Sequence, residues 1–86
     1  MKSVSETLTD LGYTQTLTFS FRKDINDIKS VHINTTKILP RKCKIEDDEP
    51  NEKANVFCIE VVKINLPHEE KKYFHDLENA IKYAES

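Results

Sequence analysis

Glycine is almost absent from this chain, which has Gly12 as its only glycine among 86 residues. Tight two-residue hairpin turns use backbone conformations with positive φ, which glycine adopts most easily. We therefore expect strands joined by longer loops, or by turns built on Asn and Asp. No apolar run approaches the roughly 20 residues of a membrane-spanning helix. The segment from Met1 to Leu11 also lacks the apolar stretch of a signal peptide, so we expect a cytoplasmic protein without membrane contact.

Cysteine occurs only twice, at Cys43 and Cys58, and without an export signal we expect both as reduced thiols. Zinc sites usually take ligands in close pairs such as Cys-x₂₋₄-Cys. Cys43, Cys58, His68 and His75 are instead separated by fifteen, ten and seven residues, so we predict no metal site. The histidines, including His32, have no recognisable nucleophile motif beside them. We expect no cofactor and no enzymatic activity.

Length and composition predict one small folded domain spanning residues 1–86. Apolar residues make up 37% of the chain and charged residues 33%, but the apolar residues are clustered along the sequence. Such clustering favours folding over disorder.

Two helices are predicted, one near each end of the chain. Ser3 and Glu6 fit a capping box, and an apolar stripe follows over residues 4–11 until Gly12 ends the helix. The C-terminal helix shows apolar residues at spacings of three and four. We favour a turn at 67–71 and a helix from Asp76, although Pro67 could also begin it.

Three strands are predicted between the helices. In residues 14–22, Leu17, Phe19 and Phe21 alternate with hydroxyl residues, which predicts one face on a core. The second strand covers residues 30–39, with a bend expected near Thr35. The third covers residues 56–66, with a bulge expected at Val61–Val62.

The predicted order is α-β-β-β-α, a small three-stranded antiparallel sheet with both helices packed on one face. A mobile acidic loop is expected at residues 46–54. The order of elements resembles that of the double-stranded-RNA-binding domain, which would imply RNA binding. That family opens its last helix with a basic cluster, whereas residues 75–79 are acidic here, so no binding residue follows from the resemblance.

Charge is distributed unevenly along the chain, although the net charge is only −2. Residues 22–44 contain seven basic residues against two acidic ones, and residues 46–53 contain five acidic residues against one lysine. A basic patch of this kind is typical of surfaces that bind phosphates or an acidic protein. The candidate partner-binding residues are Arg22, Lys23, Lys37, Arg41, Lys42, Lys44, Glu46, Asp47, Asp48 and Glu49. Neutralisation of one segment by the other is the alternative.

These observations predict a non-catalytic protein-binding module whose partner is another protein. The abundance of Lys, Ile, Asn and Thr suggests an AT-rich genome. Together with the small size, this predicts a phage or mobile-element accessory protein that inhibits or modulates a host factor. A nucleic-acid-binding domain that uses the basic 22–44 segment is the alternative. Edge strands could also accept a strand from another chain, and a homodimer is compatible with the sequence.

Overall fold

The computed structural model describes residues 2–40, 42–49, 52 and 56–86. These residues form one antiparallel sheet of five strands, flanked in sequence by two helices. In chain order the elements are α1 (Val4–Asp10), β1 (Thr14–Leu17), β2 (Ser20–Asp24), β3 (Lys29–Leu39), β4 (Val56–Asn65), β5 (His68–Phe74) and α2 (Leu77–Ala84). The α+β class is as predicted, but the three-stranded α-β-β-β-α arrangement is wrong. The strand order β1-β2-β3-β4-β5 is a simple meander.

The single strand predicted at 14–22 is in fact two strands, β1 and β2, which form a hairpin. β1 ends at Leu17, and Leu17 pairs with Ser20 across a turn that contains no glycine. Phe21 is buried as predicted, whereas Leu17 and Phe19 are 71% and 52% exposed. The alternation from Leu17 to Phe21 therefore does not describe one strand face, because the turn interrupts it.

The second missed strand is β5, which replaces the turn predicted at 67–71. β5 is an edge strand that pairs with β4 along its whole length, from Asn65↔His68 to Ile59↔Phe74. Charged side chains dominate its sequence, as is common on edge strands, where they discourage pairing with other chains. Its own sequence therefore carries no apolar alternation that could have predicted it.

Helix α1 follows the predicted signals closely. The Ser3 side chain accepts a hydrogen bond from the Glu6 amide at 3.1 Å, which is the expected N-cap bond. Gly12 has φ 97°, a conformation that suits glycine at a helix end.

A β-bulge interrupts β3 between Asn34 and Lys37, which confirms the bend expected near Thr35. Three residue steps on β3 match only two on β4 there, so β3 carries one extra residue. The Asn34 side chain stabilises the bulge by accepting a hydrogen bond from the Thr36 amide at 2.9 Å. After the bulge, each β3 side chain points to the sheet face opposite to the one that strict alternation along the strand would predict.

No bulge occurs at Val61–Val62, so that prediction is wrong. Both residues pair in unbroken register with β3 and with β5. Val61 lies in the main core and Val62 is 9% exposed on the other face, so this apolar pair reflects burial on both sides of a strand.

The main core lies between one sheet face and the two helices. Phe21, Ile33 and Val61 are neighbours across three strands and supply its centre. The buried members of this core are Leu8, Tyr13, Phe21, Val31, Ile33, Val61, Phe74, Ala80 and Ala84. The small side chains of α2 allow the helix to approach the sheet closely.

A second, smaller apolar cluster lies on the opposite face, where the chain after β3 folds back over the sheet. Leu39, Ile45 and Cys58 are buried in it, and Cys43 and Tyr73 pack against them. The bulge makes this cluster possible, because it turns Leu39 to the same face as Cys58.

The start of α2 is fixed by Asp47, which lies far from it in sequence. Asp76 occupies the N-cap position as predicted, but its side chain makes no capping hydrogen bond. The Asp47 carboxylate instead accepts hydrogen bonds from the amides of His75 and Asp76, both at 2.8 Å, and from the side-chain amide of Asn79 at 3.2 Å. Asp47 therefore joins the β3–β4 connection to the helix.

We expect Asp47→Asn to lower the free energy of unfolding by about 1–2 kcal/mol, because an amide nitrogen cannot accept the hydrogen bonds that the carboxylate accepts. Urea unfolding followed by circular dichroism measures the change. Glu49→Gln, a neutralisation two residues away, is the matched control. Equal stability of the two variants would contradict this role.

The same bonds predict how stability depends on pH. Burial acts to raise the pKa of Asp47, but the hydrogen bonds from His75, Asp76 and Asn79 outweigh it and lower the pKa below its ordinary value. The stabilisation is therefore complete above the unfolded-state pKa of about 4 and is lost as the pH falls through the lower folded-state value. Asp47→Asn should lose less stability than the natural chain between about pH 5 and pH 2.

Candidate interaction surface

The sheet face opposite the helices is uncovered at its β2–β3 end, and we call this surface the open face. The surface consists of three rows of side chains that run across the strands. Each row takes one residue from each of β2, β3, β4 and β5, and successive rows are two residues apart along a strand. The rows are Ser20–Asn34–Glu60–Tyr73, Arg22–His32–Val62–Lys71 and Asp24–Ser30–Ile64–Glu69. Ser20 is one of the hydroxyl residues that the predicted alternation places away from the core, and it lies on this face.

The open face carries balanced charge. Arg22 Nε lies 2.8 Å from Asp24 Oδ1, and Lys71 Nζ lies 3.7 Å from Glu69 Oε1. Lys37, which the bulge places on this face, has its Nζ 3.8 Å from Glu60 Oε2. Each cation therefore has an anion beside it, and the face presents alternating charges rather than a basic field.

A shallow groove of about 370 Å³ runs along the end of the open face. Its apolar surface comes from Ile28, Ile64 and Leu66, and the Leu66 amide donates a hydrogen bond to the Ile28 carbonyl at 2.9 Å. That bond ties the β2–β3 connection to the β4–β5 connection. The polar lining consists of Arg22, Asp24, Asn26, Asp27, Lys29, Ser30 and His32. Apolar side chains beside polar and charged ones are the usual composition of a protein-binding patch.

The basic residues predicted to form one patch are dispersed by the fold. Arg22 and Lys37 lie on the open face, whereas Lys23 lies on the helix side, where it contacts both Glu85 oxygens at 3.1 Å and the Tyr13 ring at 5.3 Å. Burial and the nearby Glu85 charge raise the pKa of Tyr13 to about 12.

The remaining basic candidates lie on the β3–β4 connection. Lys42 is exposed with φ 70°, and Lys44 pairs with Glu46 at 3.3 Å. Arg41 lies outside the described residues.

The acidic candidates serve the structure of the chain as well as its surface. Glu46 contacts Lys72 at 3.4 Å, and its amide donates a hydrogen bond to the Tyr73 carbonyl at 2.8 Å. Asp47 holds the start of α2, and Asp48 lies 3.6 Å from the His75 ring. Glu49 is exposed. The mobility predicted for residues 46–54 stays a prediction, because residues 50, 51 and 53–55 lie outside the described part.

The closest approach of a thiol to a histidine occurs at Cys58, whose Sγ lies 4.0 Å from His75 Nε2. Burial raises the pKa of the Cys58 thiol, and the charges of Asp47 and Asp48 add to this effect. The arrangement therefore favours the protonated thiol over the nucleophilic thiolate. In the described part of the chain, no group of three or more histidine, cysteine, aspartate or glutamate side chains is placed to hold a metal ion.

Sequence reasoning missed the surface residues contributed by β5 and by β4. Lys71 and Glu69 were assigned to a turn, and Ile64 was assigned to a fully covered strand. The mixed Lys and Glu content of residues 68–72 is the signal that could have indicated an edge strand.

Among the residues described, no helix is long and apolar enough to cross a membrane. Comparison of the chain with family models, with curated proteins and with solved structures gives no significant match.

The two cysteines should differ in reactivity. We expect Cys58, which is 3% exposed, to be alkylated by iodoacetamide at least roughly tenfold more slowly than the half-buried Cys43. Peptide mass spectrometry at pH 8 measures both rates, and unfolding in urea should make them similar. Equal rates in the folded protein would contradict the buried position of Cys58.

Proposed function

We propose that this protein is a non-catalytic protein-binding module that binds its partner through the open face. The balanced charge of that face carries the proposal. Arg22, Lys37 and Lys71 each have a carboxylate within 4 Å. A phosphate backbone would have to displace those carboxylates, whereas a protein surface can match both signs of charge.

The composition of the groove supports the same proposal. Ile28, Ile64 and Leu66 offer apolar contacts, and Leu66 is 59% exposed. The polar groups of the same lining can fix the orientation of a partner.

A role as a phage or mobile-element accessory protein that inhibits or modulates a host factor stays a prediction from composition. A cytoplasmic location likewise stays a prediction from the sequence. Both would place the partner among the soluble proteins of a host cell, which defines the extract for a binding experiment.

The double variant Arg22→Glu/Lys71→Glu tests the open face, because it reverses two cations that flank His32 and Val62 in one row. We expect proteins captured from cell extract by the natural chain to be lost, since like charges would now face the partner. Quantitative mass spectrometry measures recovery, and an at least roughly tenfold weaker affinity of the purified partner should follow.

Lys2→Glu/Lys82→Glu is the matched control, since it makes the same change in net charge at two exposed lysines outside the open face, one just before α1 and one in α2. The open face is refuted as the binding surface if both double variants capture the same proteins, or if neither differs from the background.

Nucleic-acid binding by the basic 22–44 segment is the alternative, and we expect no binding to duplex DNA or RNA at about 50 mM salt. Fluorescence anisotropy with labelled duplexes measures this directly. Binding whose log affinity falls linearly with log salt, by about 0.9 per phosphate contact on DNA, would instead support the alternative.

A further inference from the structure

The paired ends of β3 and β4 project beyond the neighbouring strands. β2 makes its last pair at Ser20↔Asn34, whereas β3 continues to Leu39, which pairs with Val56. Within residues 2–40, 42–49, 52 and 56–86, no strand pairs with β3 on its β2 side from Lys37 to Leu39. We call this segment the free edge. An unpaired strand edge offers backbone donors and acceptors to an incoming strand.

Large apolar side chains surround the free edge on the helix side of the sheet. Ile38 and Phe57 are cross-strand partners, and they are 51% and 63% exposed. They share a sheet face with Val61, but lie past the part of that face that the helices cover. Phe19 is 52% exposed, and its carbonyl accepts a hydrogen bond from the Thr35 amide at 2.9 Å, which places it where the free edge begins.

We propose that the free edge binds a second copy of this chain, by antiparallel pairing of β3 with β3 across a twofold axis. A twofold interface requires a patch that complements itself, and an antiparallel strand pair meets that requirement. With Ile38 opposite its counterpart, the row Phe57–Ile38 continues across the axis into the same row of the second copy. Four apolar side chains then lie side by side on one face.

Charge selects this register. Pairing centred on Ile38 places Lys37 opposite Leu39, so no ionised side chains of the same sign face one another. Pairing centred on Lys37 would place two lysines directly opposite, which is unfavourable. A basic partner strand would meet the same Lys37 charge, whereas the second copy avoids it.

The exposed area indicates a weak dimer. A phenylalanine side chain carries roughly 200 Å² of surface, so Phe19, Ile38 and Phe57 together leave roughly 300 Å² of apolar area exposed per copy. A standard interface buries about 800 Å² per partner, of which roughly 450 Å² is apolar. The free edge supplies about two thirds of that apolar area. We therefore expect a dimer weaker than a standard complex and take a dissociation constant on the order of 10–100 μM as the range to be tested.

This surface shares only Lys37 with the open face, because Ile38 and Phe57 lie on the helix side of the sheet. The variants that test the two proposals change different residues, so failure of the dimer and failure of the proposed binding of another protein are distinguishable.

Sedimentation velocity from about 5 μM to about 1 mM tests the dimer across the expected dissociation constant. We expect the natural chain to pass from monomer to dimer, and Ile38→Lys to remain monomeric because two lysines would meet at the axis. Ile25→Lys is the matched control, since Ile25 is 57% exposed at the opposite end of the sheet and does not line the groove of the open face. A natural chain that stays monomeric throughout overturns the proposal, as does a dimer equally sensitive to both substitutions.

Cross-linking tests the register without disturbing the charge. In a Cys43→Ser background, Ile38→Cys should form a disulfide-linked dimer under mild oxidation, because directly opposite residues have Cα atoms about 4.5–5.5 Å apart, within disulfide range. Ile25→Cys in the same background should not. Equal cross-linking of the two variants, or none in either, overturns the proposed pairing.

Discussion

The extra residue that β3 carries between Asn34 and Lys37 decides how the two faces of the sheet are used. Before the bulge, Val31 and Ile33 point to the helices. After it, Leu39 points to the other face, where it joins a second cluster with Cys58, and Ile38 takes the helix side instead. Without this change of phase Leu39 would point to the helix side, and the chain after β3 would cover a smaller apolar surface around Cys58 and Tyr73.

The second cluster gives a small domain stability that a single core of this size supplies only in part. Ile45 anchors the β3–β4 connection, and two residues later Asp47 accepts the amides of His75 and Asp76. A segment that looks in sequence like a solvated acidic loop is therefore part of the framework. The Asp47 carboxylate accepts hydrogen bonds within the chain, and among the described residues of this segment Asp48, Glu49 and Glu52 are exposed.

Ion pairs within and between strands explain why the basic 22–44 segment forms no basic patch. Along the chain, Arg22 and Lys37 belong to a run of positive charge, but in the sheet each lies beside a carboxylate. Lys23 lies on the other side of the sheet and pairs with Glu85. The segment therefore forms no continuous basic surface, which is why a partner with both signs of charge suits the open face better than a phosphate backbone.

The sequence alone determined the features that have a local signal. These are the cap at Ser3, the end of α1 at Gly12, and the apolar spacing of α2. β3 was also predicted, from the alternating Val31 and Ile33, and β4 from its nearly continuous apolar run. The tertiary structure alone decided the hairpin after Leu17, the charged strand β5, and the cap that Asp47 provides. Each of these depends on a partner distant in sequence, since strand pairing and long-range capping gain their free energy from contacts that no local pattern encodes.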